Sequence, residues 1–485
     1  MITVQTADLM RILPEAILAG FAIAVMIFEP LVPSGRKQAL GWFSLLGVVA
    51  AGTAFFWGSS SGLAFGRSIA ADGFSTFFIF IFLLIAGLTL LGSMNYLERD
   101  HIHHGEYYAL VLLATVGMCF MAASTELIMI FIGLEISSLS TYVLAGFKRH
   151  DAQSNESAMK YFLLGSFATA FFLYGIAFVY GLTGSTNLLD LSEHFARSDQ
   201  WSSPARVALI LMFIGLAFKV STVPFQIWTP DVYQGAPAPV TAFLSTGPKA
   251  AAFAVLLRIF LGVSGSAGPV TFWLIWVSAV LTMSVGNLAA LLQRNVKRML
   301  AYSAIAHAGY VLVGIAAAMA SGDPEGAAAV LFYLAAYALM NVGAFLLIAH
   351  LGGTGEQRTE LEDYTGLGRE RPGVAACLTV FMLSLAGIPL TAGFFAKFYV
   401  FRTAVHSGLI GLTILAVLNS VVSVYYYLGV VVTMYMREGK PAASTDQVPW
   451  PLYAALAASV FAIFYLGLYP NHFLLLANLS SKVLP

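Results

Sequence analysis

Apolar residues run along this chain in blocks of about twenty, the length a helix needs to cross a hydrocarbon layer, with short polar connections between them. The blocks fall near residues 12 to 31, 39 to 58, 74 to 96, 107 to 122, 126 to 146, 158 to 182, 206 to 229, 240 to 262, 270 to 292, 301 to 320, 326 to 350, 373 to 407, 409 to 436 and 449 to 476. They predict an all-α integral membrane protein with fourteen transmembrane helices, in a single membrane domain over 1–485. Within a block the pattern does not alternate: 77 to 91 is continuously apolar. That excludes the alternating strands of an outer-membrane barrel and leaves helices, which satisfy their own backbone bonds in lipid. The twelfth block is too long for one straight span and contains Gly387, Pro389 and Gly393, so it is predicted to be broken or strongly tilted. The first block carries Glu15 and ends at Glu29-Pro30 without a small-residue cleavage pattern. It is predicted to be a retained span rather than a signal peptide.

Composition strengthens the membrane reading. Of 485 residues 59% are apolar and 10% are charged, against about a quarter charged in a soluble globule, and mean hydropathy is +0.83. Basic and acidic residues balance at 24 each, which gives no reason to propose nucleic acid as a partner. Cys119 and Cys377 both fall in apolar blocks and form neither a CxxC pair nor an iron–sulfur ligand set.

Loop charges orient the chain, because basic residues gather on the cytoplasmic side of short connections. Odd-numbered loops hold Arg36, Lys37, Arg99, Lys148, Arg149, Arg294, Lys297, Arg298, Arg358, Arg369, Arg371, Arg437 and Lys440; even-numbered loops hold only Arg67, Arg197 and Arg206. Both termini are therefore predicted on the outer side of the membrane.

A few ionisable residues remain near the middle of spans: Glu135, Lys160, Lys219, Lys249, His307 and Lys397. A charge at the centre of a membrane helix costs at least about 2.5 kcal/mol, so these residues need a reason. Glu135 is too short to snorkel from mid-helix and must face protein or water. Lys160 lies a turn into its helix after Glu156 and reads either as an interfacial lysine or as part of the row. Lys219 precedes Pro224 and Pro230, and Lys249 directly follows Gly247-Pro248. Lys397 follows Gly387, Pro389 and Gly393. Proline frees the carbonyl four residues earlier, and at an interrupted helix freed backbone groups, polar side chains and water can share a charge. Breaks beside deep lysines in two distant places hint at a duplicated five-helix unit, with segments seven and twelve equivalent. Burial disfavours a charged lysine and a nearby carboxylate favours it, so a glutamate–lysine row offers sites whose protonation depends on their neighbours. His307, with Tyr302 and Ser303 before it, is either a satisfied structural histidine or a relay member.

Other chemistry is missing from the pattern. Gly366-Leu367-Gly368-Arg369 lacks the spacing of a dinucleotide fingerprint, and Gly352, Gly353 and Gly355 lead to no phosphate-loop lysine. His101, His103 and His104 have no cysteine nearby and make a weak metal set. No catalytic, metal or cofactor-binding residue is predicted in this chain.

Four stretches carry a resemblance: Phe131-Ile132-Gly133-Leu134-Glu135, the run from Lys219 to Pro239, Tyr302 to Tyr310, and Gly387 to Phe394. Together they resemble the antiporter-like membrane subunits of respiratory complex I over nearly the whole chain, and most closely the subunit N branch. The chain has no room for the extra lateral helix of the largest branch after about residue 476, and it has Lys397 where another branch has glutamate.

The resemblance implies fourteen helices around two inverted five-helix repeats, 107–262 (helices 4–8) and 270–436 (helices 9–13), with helices 7 and 12 broken. It also implies that Glu135, Lys219, Lys249 and Lys397 carry protons, connected by Lys160 and His307. The setting implied is the bacterial inner membrane, beside neighbouring antiporter-like and small membrane subunits. NADH, FMN, iron–sulfur clusters and quinone would belong to partner subunits. Two other readings stay open: a subunit of a cation/proton antiporter, and a membrane scaffold with inert charges.

Overall fold

A computed structural model of the chain describes residues 5–58, 61–196, 202–263, 269–439, 441–442 and 446–482. Arg197 and Lys440, which enter the loop-charge asymmetry, lie outside the described residues. Among those described, thirteen helices are long and apolar enough to cross a membrane. Three form the centre: Ala238–Val263 and Pro324–Leu351 are buried along 100% of their apolar stretch and Val296–Ser321 along 89%, whereas Leu13–Leu31 and Ile410–Met436 are buried along only 28%. Hydropathy does not set this order, because lipid is as apolar as a protein interior: the lipid-side helix Ile410–Met436 is more apolar than the central Ala238–Val263. These central helices carry Lys249 and His307.

Segment seven stops short of the predicted 229. The helix Ser203–Val220 ends at Ser221, whose φ of 65° is left-handed, and residues 221–227 are non-helical before the helix Trp228–Gly235. Segment twelve is two fifteen-residue helices, Pro372–Ala386 and Ala392–His406, so it is not among the thirteen spans. Its first half ends at Gly387, with φ 88°. Both ends close in the same way. The amide of Thr222 donates to the Ala217 carbonyl at 2.9 Å and that of Ile388 to the Leu383 carbonyl at 3.0 Å, the six-to-one bond of a Schellman motif.

Pro224 and Pro389 lie in the non-helical stretches. Pro230 and Pro248 instead occupy the first turns of Trp228–Gly235 and Gly247–Leu257, where a missing N–H removes no helical bond. They start helices rather than break them. Segment eight is nevertheless interrupted, between Leu244 and Gly247, where Thr246 is non-helical. Segment fourteen ends at Leu468 rather than 476, because Pro470 restricts Tyr469 and opens a separate helix, Pro470–Ser480.

Among the described residues one loop departs from an all-α chain: Gly62–Ala64 pairs antiparallel with Ile69–Ala71. Two further pairings match each other. The Leu127 amide donates to Thr186 and the Leu188 amide to Thr125, at 2.9 and 2.8 Å; the Val296 amide donates to Thr359 and the Leu361 amide to Arg294, both at 2.8 Å. In each case the residue at the bridge caps the following helix, Glu126 over Met129 and Asn295 over Arg298. One construction therefore occurs twice, once in each half of the chain.

Candidate functional site

The side chains of Lys219, Lys249, His307 and Lys397 are all inside the bundle, 3%, 3%, 3% and 5% exposed. Lys219, in the last turn of Ser203–Val220, donates to the Ser138 hydroxyl at 2.9 Å and to the Tyr161 hydroxyl at 3.0 Å. Its ammonium also lies 5.0 Å from the Tyr161 ring centroid and 5.4 Å from that of Tyr142. Lys249 donates to the Ala304 carbonyl at 3.2 Å and lies 5.4 Å from the Tyr233 ring. Lys397 donates to the Ala386 carbonyl at 2.9 Å and the Ser420 hydroxyl at 3.0 Å, with the Tyr310 ring at 5.3 Å. Each ammonium thus has neutral oxygens and a ring face, which stabilises a cation. Among the described residues none of the three has a carboxylate within 4.0 Å.

Aromatic and polar side chains connect them. Tyr161 stacks on Trp228 at 4.5 Å and Trp228 meets Tyr233 edge-on at 6.0 Å, bridging Lys219 to Lys249. Lys249, on Gly247–Leu257, reaches across to Ala304 of the Val296–Ser321 helix, and His307 stands on that helix three residues beyond Ala304. His307 has Tyr333 hydroxyl at 2.6 Å from Nδ1 and Tyr427 hydroxyl at 3.1 Å from Nε2, and Tyr427 also bonds Ser303. Edge-on to the His307 ring stands Tyr310, which carries the Lys397 ammonium over its face. Asn287 bonds the hydroxyls of Tyr310 and Tyr426, each at 2.9 Å. Four of the six predicted residues therefore fall on one row.

The other two stand apart from it. Glu135 is half-buried and makes no ion pair with Lys219 among the described residues; its Oε1 is enclosed without a hydrogen-bond partner. Lys160 is 40% exposed and pairs with Glu156 at 2.6 Å and Asp231 at 2.7 Å. Asp231 also receives Arg298 at 2.7 Å.

Breaker positions are explained by contact. A Cβ on Gly387 would lie 3.0 Å from Lys397 Cδ, and one on Gly393 would collide with the Ser384 carbonyl. A side chain at either position would displace the lysine or the neighbouring helix end.

Sequence patterns alone do not single out two further buried clusters. Arg258, 0% exposed, holds Asp72 at 3.2 Å and the Ala122 carbonyl at 2.8 Å. Elsewhere Glu356 receives Lys297 at 2.6 Å, the Ala238 amide at 2.7 Å and the Tyr96 hydroxyl, with Lys148 at 3.8 Å. Burial works against ionising Glu356, but Lys297 and Lys148 outweigh it and lower its pKa from 4.5 to about 2. Signals existed in both cases: Arg258 lies within an apolar block, and Glu356 is an acid beside three glycines. His104 meets Glu29 and Glu106, their ligand atoms within 4.8 Å of one another, but Lys37 already pairs with Glu29.

Comparison with known proteins agrees with this geometry. The family described as NADH:quinone oxidoreductase/Mrp antiporter, TM, matches residues 124–423, a range that contains Lys219, Lys249, His307 and Lys397. NADH-quinone oxidoreductase subunit N 1 of Solibacter usitatus is 48% identical, covering 98% of this chain and 97% of its own length. Subunit N 2 of Koribacter versatilis is 49% identical, covering 99% and 98%. A chain of respiratory complex I from Thermus thermophilus superposes with a TM-score of 0.82 at 37% identity, covering 96% of this chain and 99% of that one. The chain belongs to the subunit N family of NADH-quinone oxidoreductases, within the antiporter-like membrane subunits.

Proposed function

We propose that this chain moves protons across the bacterial inner membrane by passing them along Lys219, Lys249, His307 and Lys397, as a membrane subunit of an NADH-quinone oxidoreductase. Electron transfer from NADH to quinone belongs to partner subunits, with their FMN and iron–sulfur clusters. The observation that carries the reading is the row itself: three buried ammonium groups with no counter-ion among the described residues, joined by hydroxyls and an imidazole. Inert charges buried at such cost would be replaced by apolar residues without loss, so the row favours function over scaffold.

In this reading the halves of segment twelve together make a fourteenth crossing. The matched bridges at Leu127–Thr186 and Val296–Thr359, and the matched left-handed ends at Ser221 and Gly387, support two repeats over 107–262 and 270–436. With an odd number of spans between the two bridges, the repeats are inverted and the bridges face opposite sides of the membrane. Loop charge supports an outer location for both termini. Glu135, half-buried, would act on Lys219 by its charge through space. Lys160 would tune Asp231 at the cytoplasmic end rather than relay protons.

The test is Lys219→Ala in sealed membrane vesicles. Proton uptake driven by NADH should be lost while the assembled complex and its oxidation of NADH by an artificial acceptor persist. Full proton uptake in that variant would refute the reading.

A further inference from the structure

We infer that Glu356 is a positioning residue for proton entry: its carboxylate latches the linker at 236–238, and through that linker holds Tyr233 against the Lys249 ammonium. The inference rests on the proposed role of Lys249.

Glu356 lies in the connection after Pro324–Leu351, far in sequence from the linker it binds. Its side chain is 7% exposed. One oxygen accepts the Ala238 amide at 2.7 Å and the other accepts Lys297, which turns its ammonium back onto the Ala236 carbonyl at 2.8 Å. Both sides of Pro237 are thus tied to one carboxylate, directly or through a single lysine. Charge-assisted bonds of this kind are the strong ones.

Beyond the linker the path is short. Thr241, on the helix Ala238–Leu244, donates its hydroxyl to the Tyr233 carbonyl at 3.1 Å, and the Tyr233 ring centroid lies 5.4 Å from the Lys249 nitrogen. On the other face of the linker is a polar cavity of about 440 Å³, lined by Gln234, Ala236, Lys297 and Glu356 among others. The linker is therefore the wall between a space roomy enough for water and the helix that carries Lys249. Local bonds from Ala236 to Val232 and from Thr241 to Pro237 also brace this wall, and the Glu356 carboxylate is the charged tie that anchors it to a distant part of the chain. If Glu356 were a relay it would have to take up a proton, but two lysines keep it ionised at physiological pH, so its action is through the linker.

Hydrogen exchange on the assembled complex, with proton uptake per NADH oxidised in vesicles, tests this directly. In Glu356→Gln, the amides of Ala236, Ala238 and Val240 should exchange about tenfold faster, as loss of one charge-assisted bond predicts, and fewer protons should be taken up per NADH. Glu356→Asp, which keeps the charge, should recover part of both. Faster exchange with unchanged protons per NADH would overturn the inference, as would unchanged exchange. Where Glu356→Gln lowers the amount of assembled complex, Lys297→Gln removes the ion pair and the Ala236 contact, and the same two results are read per assembled enzyme. Lys249→Ala run alongside separates the failures: full pumping there overturns the reading of Lys249 and this inference with it. Lost pumping in Lys249→Ala with unchanged stoichiometry in Glu356→Gln overturns the inference alone.

Discussion

The Lys397 ammonium donates its 2.9 Å hydrogen bond to the carbonyl oxygen of Ala386, the last residue of the helix before the break. Lys219 likewise stands in the last turn of its own half-helix. At such an end the backbone carbonyls have lost their helical partners and the helix dipole is negative, so both ends offer a cation what lipid cannot. Lys397, after Gly387, takes up such a carbonyl, whereas Lys219, before its left-handed residue Ser221, turns its ammonium to the Ser138 and Tyr161 hydroxyls. Two breaks with matching left-handed ends thus lie beside lysines placed on opposite sides of them.

Replacing Glu135 separates coupling from folding. Its Oε1 has no hydrogen-bond partner among the described residues, so Glu135→Gln should change stability by no more than about 1 kcal/mol. Native gels should show the complex assembled, while NADH-driven proton uptake in vesicles falls. Loss of the complex in step with activity would make Glu135 a folding residue.

Much of this was legible in the chain because lipid punishes exceptions. Apolar blocks locate the helices, and a lysine inside one has to be explained, which is why Lys219, Lys249 and Lys397 stand out. Gly387 with Pro389 announces its break. Ser221 does not, because serine carries no preference for a left-handed φ and the neighbouring prolines point further along the chain. Tyr161, Tyr233 and Tyr427 are invisible as a set, since tyrosines at apolar positions are ordinary until the helices pack. Lys148, Lys297 and Glu356 read as solvated loop charges. Only the folding together of distant loops buries them.

Tyr427→Phe tests the imidazole link with almost no change in volume. His307 Nε2 and the Ser303 hydroxyl both lose a partner, costing about 1–3 kcal/mol of stability. Proton uptake should fall relative to NADH oxidation by an artificial acceptor in the same vesicles. Unchanged uptake would remove Tyr427 from the row.

Arg258 provides the contrasting case, a buried charge with a carboxylate partner. Arg258→Ala leaves Asp72 unpaired, and breaking such a pair costs about 3–5 kcal/mol. The amount of assembled complex on native gels should drop, with proton uptake per assembled enzyme unchanged. A lower yield of protons per assembled enzyme would give Arg258 a part in translocation.

The Glu356 latch has a defined pH window. Its folded pKa of about 2 lies below the ordinary 4.5, so its contribution is complete above the ordinary value and is lost as pH falls through the folded one. Exchange protection at 236–238, corrected for the intrinsic rate, should therefore hold from neutrality down to about pH 5. Loss of protection between pH 7 and 5 would contradict this assignment.

Proton exchange at a buried lysine is the central claim, and Lys397→Arg tests it most directly. Arginine keeps the positive charge but holds its proton at any physiological pH, whereas Lys397→Ala removes the site. The measurement is NADH-driven proton uptake by sealed vesicles, normalised to NADH oxidation by an artificial acceptor, which reports assembled enzyme. Both variants should be impaired, arginine failing despite its charge. Full uptake in Lys397→Arg would contradict the account and leave Lys397 as a fixed positive field.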